Sequence, residues 1–293
     1  MCNVEQRREL LGVRHPDYGQ TVGCYAHLKR IIGDYHGAVE MYKECLELQL
    51  AAVGSRHVAF ATTTNGLAQT HVLMGEYETG EKLLRDAIRI RRASLGESHT
   101  LCGVSIGDLA ALKRRTGEFA ESGALFEQAL SIQKKALGMD HHVFARARSE
   151  YALLLSAATD DFSGAEAVFL EAAKIECSRL GDDHPVYAST ICSLANLQIR
   201  QGRYAEAEEH LLRARTIQQK LVIRTFPQLI ETEVALGTLY MHTDRMREAA
   251  SVLDSAWARG GESRCATDPV RLGLLYARGS LCMRQAVSGR RGS

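Results

Sequence analysis

A repeat is the feature that most constrains this chain. Gly12, Gly54, Gly96, Gly138 and Gly181 are separated by 42, 42, 42 and 43 residues, and the frame continues to Ile223 and Cys265. Three residues after each glycine stands a histidine: His15, His57, His99, His141 and His184. Fourteen residues after each anchor comes a small residue: Ala26, Ala68, Ala110, Ala152, Ala195, Gly237 and Gly279. A second turn signal follows at Gly33, Gly75, Gly117 and Gly202, with Asp160 and Asp244 in the fourth and sixth copies. Two residues later comes an apolar, mostly aromatic residue (Tyr35, Tyr77, Phe119, Phe162, Tyr204, Met246), and late in the unit a small one (Cys45, Ala87, Ala129, Ala172, Ala214, Ala256). Such a period marks an array whose units cannot bury an apolar face alone and make their core by stacking.

Each unit predicts two helices. In the fifth copy Ile191, Leu194, Ala195 and Leu197 recur at helical spacing, and after the glycine turn Tyr204, Ala207, Leu211, Ala214 and Ile217 do the same. The small residues let two backbones approach, and the aromatic is expected to fill the space beside them. Only four prolines occur in 293 residues, and Pro16, Pro185, Pro227 and Pro269 all fall where a first helix starts.

Composition narrows the function classes. Apolar residues are 45% and charged residues 24%, a globular balance. The 36 Lys and Arg against 35 Asp and Glu leave a net charge of +1, no footprint for nucleic acid. No stretch approaches the roughly 18 apolar residues a membrane span needs, and the charged opening MCNVEQRREL lacks the apolar run of a signal peptide. The eight cysteines form no CxxC pair, so reduced thiols and a cytoplasmic setting are expected.

The Leu-Ala pair, the glycine turn, the tyrosine and the later Ala-Leu resemble the tetratricopeptide repeat. With 42-residue units and linkers such as LGDDHPVYAST, the chain resembles the repeats of kinesin light chains and nephrocystin-3. The stretches that carry this are LGDDHPVYASTICSLANLQIRQGRYAEAEEHLLRA and GEFAESGALFEQALSIQKKALG, and the likeness covers residues 3–259 and, more weakly, the last helix to Val287. The resemblance implies an all-α, right-handed superhelical solenoid of stacked helix-turn-helix units. The expected division is 1–11, the tail of an incomplete repeat; repeats at 12–53, 54–95, 96–137, 138–180, 181–222 and 223–264; a capping helix at 265–287; and a disordered tail at 288–293. The chain is thus expected to start inside a repeat, and no sustained heptad run precedes the array.

Motifs that suggest chemistry are absorbed by the repeat. The five in-frame histidines would lie roughly 8–10 Å apart in stacked helices, too far to share a metal ion with bonds of about 2.0–2.1 Å. GEYETGEK at 75–82 has Glu81 where a phosphate-binding loop needs lysine. No nucleophile elbow or catalytic carboxylate pair stands outside the register, so no enzyme, cofactor or metal is expected.

The resemblance implies that first helices line a concave groove for an extended peptide. Groove-register positions hold His27 and Arg30, then Asn65 and Gln69, Arg114 and Arg115, and Asn196 and Arg200, with Arg146 one turn earlier in the fourth unit. Arginine forks hold carboxylates bidentately and amide side chains can grip a peptide backbone. Only Asn65 matches the asparagine place of kinesin light chains, and the lysine and asparagine of chaperone carboxylate clamps are absent. The expected function is a protein-interaction scaffold for a protein or partly acidic peptide. Its leading form is a kinesin-light-chain-like adaptor with kinesin or cytoskeletal association. The alternatives are a ciliary or cytoskeletal scaffold of the nephrocystin-3 type, or the interaction part of a larger enzyme or signalling protein.

Overall fold

The computed structural model describes residues 9–10, 12, 16–159, 161–220, 227–260 and 269–291. The anchors Ile223 and Cys265, the turn residue Asp160, His15 and most of the expected tail at 1–11 lie outside these. Among the described residues there are thirteen long helices and no strand. They are α1 (Pro16–Ile31), α2 (Tyr35–Ala52), α3 (Val58–Leu73), α4 (Tyr77–Leu95), α5 (Thr100–Arg115), α6 (Phe119–Leu137), α7 (His142–Ala158), α8 (Phe162–Leu180), α9 (Pro185–Arg200), α10 (Tyr204–Gln219), α11 (Pro227–His242), α12 (Met246–Gly260) and α13 (Pro269–Arg291). Two compact units result, Met1–Met139 and Asp140–Ser293. In the first, α1 to α6 pack as successive hairpins; in the second, α7 to α12 do the same and α13 lies against α11 and α12. No described helix is long and apolar enough to cross a membrane.

The repeat glycines and histidines explain the helix ends. Gly75 and Gly117 close the first helices with φ of +81° and +83°, a left-handed conformation that glycine adopts without a Cβ clash. Asp244 takes the same role in the sixth copy with φ +61°, the one non-glycine residue of positive φ described. Each histidine described in frame is an N-cap. The Nδ1 atoms of His57, His99, His141 and His184 accept from the backbone N–H of Ala59, Leu101, Val143 and Val186 at 3.1–3.2 Å. An imidazole here does what Ser or Asp does at other helix starts, satisfying one of the orphan donors. All four prolines occupy the first residue of a helix, where their missing N–H costs nothing.

The hairpin core is built from columns in register. The small residue of the first helix (Ala26, Ala68, Ala110, Ala152, Ala195) is fully buried, as are Ala87, Ala129, Ala172, Ala214 and Ala256 of the second. Between them lies a large residue that the sequence pattern singles out only as Leu211 in the fifth copy: Tyr42, Leu84, Phe126, Phe169, Leu211 and Leu253, each no more than 3% exposed. This column fills the middle of every hairpin, and the aromatic at the start of the second helix adds to it in some copies, as at Tyr35, 3% exposed, and Phe162, packed on the core. Phe119 in that starting position is 38% exposed. At about 25 cal/mol per Å² of apolar surface removed from water, such columns supply the main favourable term for each hairpin.

Candidate peptide-binding face

The first helices carry the residues expected to meet a partner, and the structure sorts these into three environments. In the first unit, α1 presents His27 and Arg30. Arg30 Nη2 donates to His27 Nδ1 at 3.1 Å, and His27 is held below its ordinary pKa first by burial and then by the arginine charge. The imidazole is therefore the neutral, accepting form.

On α3, Asn65 and Gln69 reach sideways and not outward. Asn65 Nδ2 and Gln69 Nε2 both donate to Asp108 Oδ2 of α5, at 2.8 and 2.7 Å. Asn65 is only 6% exposed; its Oδ1 accepts from the Ser105 hydroxyl at 2.5 Å, and Ser105 in turn accepts from Arg91 Nη1 at 2.6 Å. Arg91, on α4, is 3% exposed and also donates to the carbonyl of Leu101, and burial draws its pKa below the usual value. A continuous polar chain, Arg91–Ser105–Asn65–Asp108–Gln69, thus joins the second repeat to the third. Arg114 is half-buried and Arg115 exposed at the end of α5. Behind them Lys113, 5% exposed, is ringed by Glu81, Glu118 and Glu121 at 3.1, 2.8 and 3.3 Å, and its pKa is raised chiefly by the bond to Glu118.

In the second unit, α7 and α9 touch and place three of the expected residues on their surfaces. Arg146 and Asn196 are exposed, and no hydrogen bond ties either side chain to another described residue. Arg200 is partly engaged: its Nη1 donates to the carbonyl of Ser156 at 2.6 Å, at the end of α7, and its guanidinium lies 4.8 Å over the Phe162 ring.

Two polar columns inside the stack carry no obvious sequence motif. One is a hydroxyl nine residues after the anchor, bonded to the preceding unit's residue eleven after its own anchor. Ser105 meets Asn65, Thr190 meets Ser149 at 3.2 Å, and the Thr232 hydroxyl meets the Cys192 sulfur at 3.4 Å. Burial pushes that Cys192 thiol up to about 12, so it packs as an inert group. The other recurs in frame on the second helices, as Arg91 and Gln133 in the first unit and Glu176 and Gln218 in the second, all at most 3% exposed. Glu176 is fully buried and neither carboxylate oxygen receives a well-formed hydrogen bond. Burial pushes its pKa up to about 7, against weaker opposing pulls from the Thr190 hydroxyl and the Arg146 charge. Both columns could have been found by asking which polar residues recur in frame on the apolar side of a helix. Among the described residues no group of three or more His, Cys, Asp or Glu could hold a metal ion.

Helix hairpins of fixed length, histidine-capped and stacked through columns of small and large residues, define an α-helical repeat protein. The chain belongs to the tetratricopeptide repeat family, whose model matches residues 19–93, 59–135 and 143–220. No curated protein sequence matches it significantly. Among solved structures it is similar to nearly identical TPR-like repeats assigned to a kinesin light chain of Podosopora anserina. There the identity is 24% and the TM-score 0.51, over 70% of this chain and 97% of that one. It is also similar to BtubC (BKLC) from P. vanneervenii, with 22% identity and a TM-score of 0.56 over 79% and 90%. A third is the Rap conjugation gene regulator of plasmid pLS20, solved with the Phr* peptide, with 13% identity and a TM-score of 0.64 over 91% and 74%. These are likenesses of fold.

Proposed function

We propose that the chain is a non-catalytic interaction scaffold, and that its second unit holds an extended, partly acidic peptide across α7 and α9. The observation that carries this is the pair Arg146 and Asn196, exposed on touching first helices with no hydrogen bond to another described residue. A guanidinium can fork onto a carboxylate and an exposed amide can pair with a peptide group, which together suit an acidic, extended ligand. Arg200 contributes its remaining donors. The first unit carries basic residues of its own at His27, Arg30, Arg114 and Arg115, while Asn65 and Gln69 are turned to Asp108. The Rap regulator of the same fold is solved with a peptide, which supports a peptide ligand here. The repeat length and the kinesin-light-chain likeness support an adaptor working in the cytoplasm at the cytoskeleton, with a ciliary or cytoskeletal scaffold of the nephrocystin-3 type as the alternative.

Panning a random peptide library displayed on phage against the chain, and against the Arg146→Glu, Asn196→Ala variant, tests the reading. Enrichment of Asp- and Glu-rich sequences on the native chain, lost on the variant, is expected. Identical selections from both would refute it, as would enrichment without acidic residues.

A further inference from the structure

The polar chain that joins the second repeat to the third holds its two charges apart. The Arg91 guanidinium is enclosed, 3% exposed, and donates to the Ser105 hydroxyl and the Leu101 carbonyl. Asp108, toward the other end, is only half-buried on α5 beside α3. The end of the chain that meets solvent is therefore the negative one. Asn65 Nδ2 and Gln69 Nε2 both donate to one carboxylate oxygen, Oδ2, at 2.8 and 2.7 Å. The other oxygen, Oδ1, takes no hydrogen bond from a described residue and is open to solvent, and so is the Gln69 carbonyl oxygen Oε1. Two open acceptors thus flank the Gln69–Asp108 bond.

Stacking does not demand an acid here. Asp108 stands twelve residues after its anchor, where other first helices hold Cys24, Gly66, Glu150, Ser193 and Ala235. A place filled so variously is not what seats one hairpin on the next. The surroundings leave the carboxylate without a competing cation. Before Lys113, α5 has no other charged residue, and the one ionisable residue of α3 is His71. Lys113 is turned to its three glutamates. Arg114 comes six residues on, about 9 Å along the helix, which exceeds the roughly 8 Å reach of exposed charges at physiological salt. Val104 and Ala111, a turn to either side of Asp108, are half-buried apolar residues on which a methylene stem can lie.

We propose that Asp108 is a subsite for a basic residue of an extended peptide, whose ammonium or guanidinium donates to Asp108 Oδ1 and the Gln69 carbonyl. Asn65 and Gln69 are then positioning residues: expected to grip a peptide themselves, they fix the carboxylate that does. A carboxylate held by two amides before the ligand arrives loses little freedom on pairing, and an ionised donor and acceptor make the stronger kind of hydrogen bond. The subsite belongs to the first unit and does not rest on the acidic-peptide reading of the second.

The random phage library is panned against the full chain in four forms: native, Asp108→Asn, Gln69→Lys and Glu127→Gln, with circular dichroism melts to check each fold. Asp108→Asn keeps an oxygen for both amides and removes the charge, and Gln69→Lys sets an ammonium of the chain itself beside the carboxylate. Glu127→Gln makes the same charge change as Asp108→Asn at an exposed place on α6. Enrichment of Lys- and Arg-containing sequences is expected on the native and Glu127→Gln forms and lost on the other two. A selected peptide is then labelled with fluorescein and titrated. Replacing its basic residue by glutamine should weaken binding to the native chain about ten- to a hundredfold. On Asp108→Asn the same replacement should matter by less than about threefold, which separates the pair from any general loss of stability. The inference fails if the native chain selects no basic residue, or if a folded Asp108→Asn or Gln69→Lys form selects it as the native chain does. It fails equally if the peptide's glutamine form binds the native chain as tightly as its parent. Selection of Asp- and Glu-rich sequences, lost in the Arg146→Glu, Asn196→Ala variant, is read separately, so failure of one reading is distinguished from failure of the other.

Discussion

Changing Glu176 to glutamine should remove a pH dependence from the second unit. In the unfolded chain this carboxyl titrates near 4.5, and in the folded unit at about 7. Below both values it is protonated in both states and contributes nothing. Between them the unfolded chain releases a proton that the folded one keeps, so stability falls as pH rises; above about 7 the loss is complete. At about 1.4 kcal/mol per pH unit, the interval corresponds to about 3 kcal/mol, a large fraction of the roughly 5–15 kcal/mol of an ordinary domain. Burial is the cause, since Glu176 is fully enclosed between α7, α8 and α9, with Arg146 the charge that most offsets it. Glutamine is the residue that Gln133 and Gln218 already place in this register, so Glu176→Gln keeps shape and amide chemistry while removing the ionisation. The assay is urea unfolding from pH 4 to 8, followed by the fluorescence of Trp257. This is the one tryptophan of the chain and lies in the same unit as Glu176. The two proteins should be alike at the acid end and separate by about 3 kcal/mol at pH 8, the variant being the more stable. A difference that stays constant across the range would refute the reasoning.

Other consequences follow from the same geometry. Asp244→Gly should stabilise the sixth hairpin by about 0.5–1 kcal/mol, read as a higher urea midpoint, because a left-handed residue with a Cβ is strained. His99→Ala should cost about 1 kcal/mol and speed hydrogen exchange at the Leu101 amide, with His99→Asn restoring most of the protection. Asn65→Ala and Asp108→Ala should each destabilise the first unit by about 1–3 kcal/mol, and the double variant by clearly less than their sum. Strict additivity in that cycle would show that the bond between them carries no weight.

The period, the two helices of each unit, the small residues at their crossings and the prolines at their starts were all legible in the sequence. Each depends on contacts within one hairpin, and local spacing encodes these directly. The histidines were legible as a register but not as caps: a lone imidazole has several uses, and only backbone geometry shows Nδ1 over the second amide of the helix. The large column from Tyr42 to Leu253 was legible only at Leu211, because its identity changes between Tyr, Leu and Phe from copy to copy.

What only the tertiary structure decided is the direction of side chains that work between repeats. Asn65 and Asp108 are 43 residues apart, and Arg200 and Ser156 are 44. Whether an amide at the groove register grips a peptide or a neighbour's carboxylate depends on how one hairpin is offset on the next. That offset comes from the summed packing of both hairpins, which no single residue spells out. The sequence by itself therefore determined an array of tetratricopeptide hairpins. Stacking determined that Asn65 and Gln69 join repeats while Arg146 and Asn196 face outward.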